Sequence, residues 1–307
     1  MSFMLSRMKK VAAATITCVA LSALGACGGS ASSGGQSPQE PIAVTSSINQ
    51  WGLLAKQIGG DQVKVTSILG STNVDAHDFE PQTSDIATIS KSRILVVNGA
   101  GYDEWAVKAS AGTVTTVSAA DAVGAADGDN PHLWFSKDAR KAMARELAEA
   151  FAKERPAEKD YFDGRLQTWS KSESELETTM DTFAERHPKA TYAATESVAY
   201  YLMSDLNLTD ATPQAYAQAV ANESEPAPAD VQKFQSLITA GKISVLVNNT
   251  QEASDMTNLI TGTAHKSSVP VLDVSEQVPE GQDSLVSWMN SLISACEKAL
   301  DESAPEK

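Results

Sequence analysis

Between residues 156 and about 185, Phe162, Leu166, Trp169, Leu176, Met180 and Phe183 follow one another at steps of four, three, seven, four and three. Those steps form a single stripe of an amphipathic helix, interrupted only by Glu173. Pro156 suits the first helical turn, and about 30 residues of helix would run about 45 Å. A rod of that length divides the chain in two and can lie against both halves as a spine. Two consecutive helices packed in one lobe are the alternative that the same spacing allows. Before this segment, short β-like runs alternate with helical patterns. Ile42-Ala43-Val44-Thr45 precedes residues 51–58, Val63-Lys64-Val65 precedes a helix opening near Thr83, and Ile94-Leu95-Val96-Val97 precedes one around Trp105. After it, the habit returns at residues 190–194, 243–247 and 269–272. Strand and helix in series predict an α/β fold with largely parallel sheets. Ligands in such folds bind beyond the carboxyl ends of the strands, where His77 follows Ile68-Leu69 and Glu196 follows Ala194.

The first residues indicate where the protein works. Arg7, Lys9 and Lys10 precede an uncharged, mostly apolar run at residues 11–24, and Leu24-Gly25-Ala26-Cys27 follows. This is the pattern of an export signal, too short and wrongly flanked for a stable membrane span. The Leu-Gly-Ala-Cys ending resembles the bacterial lipobox, which makes Cys27 the expected lipidated first residue of the mature chain. Cys18 would leave with the signal, and Cys296 would then have no partner for an internal disulfide. Residues 28–40, rich in Gly, Ser, Pro and Gln, read as a flexible tether. The expected organisation is a signal at 1–26, an anchor and tether at 27–40, a first lobe at 41–155, a linking helix at 156–187 and a second lobe at 188–307. A formal charge of −15 argues against nucleic acid and fits a body that attracts cations over long range.

Of the four histidines, His77 lies in a polar loop that ends at Pro81, and His132 follows Pro131 at a turn before a helix. Neutral imidazole is the commonest protein ligand for a transition metal, so these two are candidate metal ligands. His187, beside Pro188, and His265 are isolated and are expected to be structural or surface residues.

With these pieces together, the chain resembles the manganese, zinc and iron solute-binding lipoproteins of ABC importers over essentially its whole mature length. His77-Asp78-Phe79-Glu80-Pro81 is similar to the family's His-x-aromatic-Glu-Pro loop. Asn98-Gly99-Ala100-Gly101-Tyr102-Asp103-Glu104-Trp105 is similar to its Gly-rich stretch ending in an acid and Trp, and Pro131-His132-Leu133-Trp134 to its Pro-His-aliphatic-Trp loop. The resemblance implies two α/β sandwich lobes with mainly parallel sheets, joined by one long helix, with one metal in the cleft between them. It also implies a lipid-anchored monomer on the extracytoplasmic face of the cell membrane, delivering that metal to an ABC permease powered by a separate ATPase.

The resemblance further implies two ligands from each lobe. Glu196, in Thr195-Glu196-Ser197, is the third candidate. Asp273, after residues 269–272, is the fourth, with Glu276 and Asp255 as substitutes if the register is shifted. Asn130 departs from the acidic residue common before Pro-His in the family, which bears on a hydrogen bond behind the ligand. Two imidazoles with two carboxylates suit Mn²⁺ or Fe²⁺ and still accept Zn²⁺. Glu at the third position resembles the manganese-type pattern. A hydrolytic metal enzyme is the alternative from another class, but the chain has no His-Glu-x-x-His helix and no Gly-x-Ser-x-Gly elbow. A lipid-anchored adhesin or interaction module is a third reading. Binding without catalysis is the expectation.

Overall fold

The computed structural model describes residues 40–303, apart from Asp75, His77, Asp78 and Ala111. The expected signal, Cys27 and the expected ligand His77 therefore lie outside the described residues. The strands are β1 (Ile42–Ile48), β2 (Val63–Leu69), β3 (Ile94–Val97), β4 (Thr115–Ser118), β5 (Thr191–Ala194), β6 (Thr209–Asp210), β7 (Val245–Asn249) and β8 (Val271–Val274). In the first half the helices are α1 (Asn49–Gly59), α2 (Thr83–Ser90), α3 (Glu104–Ala109), α4 (Ala119–Val123) and α5 (Lys137–Glu154). The long α6 (Lys159–Arg186) follows, then α7 (Tyr200–Asp205), α8 (Gln214–Ala221), α9 (Pro228–Thr239), α10 (Asp255–Lys266) and α11 (Leu285–Ser303). No described helix is long and apolar enough to cross a membrane.

The strands form two four-stranded sheets, ordered β2-β1-β3-β4 and β6-β5-β7-β8, and every pairing is parallel. Each half thus repeats the same winding, and each sheet has a switch point at its centre, between β1 and β3 and between β5 and β7. The central strands are buried on both faces, as the runs Ile94-Leu95-Val96-Val97 and Val245-Leu246-Val247 require.

The spine is a single helix. Pro156–Glu158 forms a 3-10 turn in front of it, and α6 then runs unbroken for 28 residues. Phe162, Trp169, Leu176, Met180 and Phe183 are buried along it. It packs on α1 and α5 of the first lobe and on α11 of the second. Glu173, the one charge in the stripe, is as buried as its apolar neighbours. Its carboxylate meets the guanidinium of Arg140 from α5, with side chains 1% and 0% exposed. Arg140 Nε and Nη2 donate to Glu173 Oε1 at 3.0 and 2.6 Å, while Nη1 donates to the carbonyls of Trp134 at 3.1 Å and Phe135 at 2.9 Å. A charge in the stripe is tolerated because a cation of fixed geometry answers it. The same cation ties the spine to the turn that follows His132.

One apolar core runs behind both sheets, drawing Trp51, Trp134, Phe151 and Phe162 from the first half and α6, and Leu202, Trp288 and Met289 from the second. Phe135 and Trp288 meet within it, ring centroids 5.1 Å apart.

Candidate metal centre

Beyond the carboxyl ends of the strands, the loops of the two lobes bring together His132, Glu196 and Glu276. One donor atom from each lies within 4.8 Å of the others. His132 Nε2 is 3.9 Å from Glu196 Oε1 and 3.9 Å from Glu276 Oε2, with side chains 3%, 11% and 0% exposed. Among the described residues this is the one group of three or more such side chains that could hold a metal ion.

His132 ends the connection from α4 and enters the 3-10 turn Leu133–Phe135. Its ring orientation is set by Asn130. The Asn130 amide nitrogen donates to the Ser197 carbonyl at 2.8 Å, so Asn130 Oδ1 must be the atom facing the histidine. That oxygen accepts the backbone N–H of His132 at 3.0 Å and lies 2.9 Å from Nδ1. The proton of a neutral ring is therefore on Nδ1, which leaves the lone pair of Nε2 on the side of the point where the two carboxylates converge. A neutral amide does this where a carboxylate would make the ring more basic. Tyr201 donates its hydroxyl to the Asn130 carbonyl at 2.9 Å, tying the same turn to α7.

Glu196 follows β5 and approaches the end of β7, at the switch point of the second sheet, the place where this class of fold binds ligands. Glu276 lies in the loop after β8. The backbone there is fixed by the first lobe: Gln50 Nε2 donates to the Glu276 carbonyl at 2.7 Å, and Asn49 exchanges two bonds with the backbone of Val278, at 3.0 and 3.1 Å. Gln251 Oε1 accepts the Glu276 N–H at 2.7 Å.

The first lobe also delivers Tyr102, whose hydroxyl donates to Glu276 Oε2 at 2.6 Å. Tyr102 is carried by a tight curl from Asn98 to Asp103 that passes through positive φ at Gly99 (77°). A side chain at Gly99 would also come within 2.7 Å of the Ala120 Cβ. The curl closes on the Asp103 carboxylate, which accepts the N–H groups of Asn98 at 2.7 Å and Gly99 at 2.8 Å and the hydroxyl of Ser47. Burial raises the Asp103 carboxyl above its ordinary value in spite of these bonds. Burial first, and then the charge of Glu276, holds the Tyr102 hydroxyl well above its ordinary range, so it acts as a donor.

The structure places Asp273 elsewhere. The sequence run at 269–272 suggested a strand ending before it, but β8 runs Val271–Val274 and contains it. Strand alternation turns the Asp273 side chain outward, where Asn248 Nδ2 donates to it at 2.8 Å. The loop that points at His132 begins two residues later, and it carries Glu276. Asp255 is exposed in the first turn of α10, far from this role. His187 caps α6 and stacks on Phe183 at 4.8 Å, and His265 is exposed in the last turn of α10. Neither belongs to the group. On either side of His77 in the sequence, Phe79 packs on Trp105 with ring centroids 4.9 Å apart, and Gln251 Nε2 donates to the Val74 carbonyl at 2.8 Å.

An imidazole and two carboxylates converge on one buried point, and among the described residues no cysteine joins the group. This arrangement is suited to holding a cation. Three comparisons bear on it. The manganese ABC transporter substrate-binding lipoprotein PsaA of Streptococcus pneumoniae is 26% identical over 189 residues, 55% of this chain and only 60% of that relative. The high-affinity zinc uptake system protein ZnuA of Bacillus subtilis is 21% identical over 244 residues, 72% of this chain and 75% of its own. The solved structure of the periplasmic zinc binding protein TroA from Treponema pallidum superposes with a TM-score of 0.71 at 16% identity, over 85% of this chain and 99% of that one, a likeness of fold. The model of the ZnuA family, described as zinc-uptake complex component A periplasmic, matches residues 44–299, which include His132, Glu196 and Glu276, and the chain belongs to that family.

Proposed function

We propose that this protein captures one divalent transition-metal ion as cargo on the extracytoplasmic side of a membrane and hands it to an ABC permease. The family is one of substrate-binding transport proteins, and the chain is not an enzyme. The observation that carries the proposal is the convergence of His132, Glu196 and Glu276 between the two lobes. His77 completes the donor set in this reading, from the loop between β2 and α2. The likeness to PsaA and to the Bacillus ZnuA supports delivery to a permease, and the lipobox supports an anchor at Cys27. A Cys27→Ser chain found still in the membrane fraction would refute the anchor.

The donor set fits a cation of this class. Two carboxylates and imidazole, without thiolate, suit Mn²⁺ and Zn²⁺ alike, and raw affinity favours Zn²⁺ at nearly any such set. Metal at a thousandfold excess over its dissociation constant should stabilise the fold by about 4 kcal/mol. Imidazole binds metal only when neutral, and an unperturbed ring titrates near pH ~6.5. The metal-induced rise in melting temperature should therefore fade below about pH 6. A rise of the same size at pH ~5 would refute histidine ligation.

A further inference from the structure

Asn249 is the last residue of β7, on the far side of the switch point from Glu196, and it is buried to 1% exposure. Its amide is oriented without ambiguity. Oδ1 accepts the backbone N–H of Gln251 at 3.0 Å, so the NH₂ end must face the opposite way. That nitrogen donates to Glu196 Oε2 at 2.6 Å and to Glu276 Oε1 at 3.2 Å. Its own backbone N–H is held by Thr195 Oγ1 at 3.1 Å, which fixes the strand end against the Glu196 loop. One amide nitrogen thus engages one oxygen from each of two carboxylates that come from different loops. The oxygens nearest His132 Nε2 are the other pair, Glu196 Oε1 and Glu276 Oε2; Glu276 Oε2 also accepts the Tyr102 hydroxyl at 2.6 Å, which an oxygen with two lone pairs can do while it faces a cation.

We propose that Asn249 is a specificity-determining residue that holds both carboxylates to one metal-facing oxygen each, and thereby favours Zn²⁺ over Mn²⁺. The inference rests on the metal-receptor reading above and names the cation within it. A carboxylate free to turn offers a cation two oxygens, and two such groups beside two imidazoles give up to six donors. Mn²⁺ belongs with the ions of octahedral oxygen-rich sites. Zn²⁺ is satisfied by four donors in a tetrahedron. With Glu196 Oε2 and Glu276 Oε1 drawn back onto Asn249, the set offers one oxygen from each carboxylate, one nitrogen from His132 and, in the proposed site, one from His77. The count is four. The same donations bring two acidic groups together at a buried point before any cation arrives, so the geometry is set in advance.

The test compares the full-length wild-type chain with Asn249→Ala, and with Asn249→Ser, whose single hydroxyl can serve only one carboxylate. Asn248→Ala, one residue back on the same strand, is the control. Two quantities are read: the visible spectrum of the Co²⁺-loaded protein, intense for four donors and weak for six, and the ratio of Zn²⁺ to Mn²⁺ affinities by competition. The wild type should give the intense four-coordinate spectrum. Asn249→Ala should lose that intensity and reduce the Zn²⁺ preference by about tenfold or more, with Asn249→Ser between the two and Asn248→Ala unchanged. Should the alanine variant not fold, the serine variant carries the same expectation in direction. A six-coordinate wild-type spectrum, or an Asn249 variant with unaltered spectrum and ratio, overturns the inference while leaving a metal receptor intact. A wild-type chain that takes up no Zn²⁺, Mn²⁺ or Co²⁺ overturns both.

Discussion

Glu173→Leu puts the spine to a quantitative test. The substitution keeps the stripe apolar and the volume similar, so the helix itself should tolerate it. What changes is Arg140, which is 0% exposed and loses the partner of both Nε and Nη2. Breaking a buried pair from one side costs about 3–5 kcal/mol, because the remaining charge has no water to return to. Total stabilities lie near 5–15 kcal/mol, so the loss is large. For a chain of this size it lowers the melting temperature by roughly 6–20 °C. The double variant Arg140→Met, Glu173→Leu removes both charges and should recover most of that loss. It does not restore the Nη1 donors to the carbonyls of Trp134 and Phe135, which lie two and three residues after His132. Metal affinity should therefore stay reduced by about tenfold in the double variant although its stability returns. Urea unfolding and calorimetric metal titration on the same samples separate the two effects. A cost below about 1 kcal/mol for Glu173→Leu, the range of an exposed pair, would refute the desolvation argument. Unchanged affinity in the double variant would cut the link to His132.

Glu276→Ala should weaken Zn²⁺ and Mn²⁺ binding by well over about tenfold, whereas Asp273→Ala, which loses only its bond with Asn248, should change affinity little; calorimetry on the pair decides, and the reverse order would refute the placement of the loop after β8. Burial, and then the charge of Glu297, pushes the Cys296 thiol up to about 12. In a chain starting at residue 40 it should resist a thiol reagent at pH ~8 and react once unfolded. Because the folded state favours the neutral thiol, this contribution to stability is whole below the ordinary value of 9.0 and fades as pH rises towards 12. Reaction at the same rate in folded and unfolded chains would contradict the burial.

The α/β class, the spine and the central strands were legible because each carries its own signal. Ile94-Leu95-Val96-Val97 is apolar on both faces, as a strand inside a covered parallel sheet must be. The edge strands β4 and β6 were not legible. Thr115-Thr116-Val117-Ser118 and Thr209-Asp210 face solvent on one side or both, so no apolar run marks them. Glu173 looked like a flaw in the stripe because its partner lies 33 residues earlier on another helix. At the site, His132 and Glu196 are carried by loops that a turn or a strand end announces. Asp273 was misplaced by the position of β8: a strand that ends two residues beyond its apolar run turns an expected loop acid into an outward strand residue. Asn249 and Tyr102 gave no such signal, since an Asn at a strand end reads as a turn former and a Tyr in a Gly-rich stretch as packing.

The two lobes meet through interactions of two kinds, and these differ in what they cost to part. Behind the site the contact is apolar and continuous, with Phe135 of the first lobe against Trp288 of the second and α6 packed on both. Pulling these apart would expose aromatic surface at about 25 cal/mol per Å², or several kcal/mol for a pair of rings that each bury about 150–250 Å². In front, the contacts are hydrogen bonds: Asn49 with Val278, Gln50 and Tyr102 with Glu276, Gln251 with Val74, Asn130 with Ser197. Each can be traded for a bond to water at a net cost of about 0.5–1.5 kcal/mol. The hydrogen-bonded contacts are therefore the less costly of the two kinds to part, and on the second lobe they gather on the loops after β5, β7 and β8, not on the sheets. Glu276 is held there from both sides, by Gln50 and Tyr102 of the first lobe and by Asn249 and Gln251 of the second. Among the bonds of Asn249 to the two carboxylates, the 3.2 Å contact with Glu276 is longer than the 2.6 Å contact with Glu196.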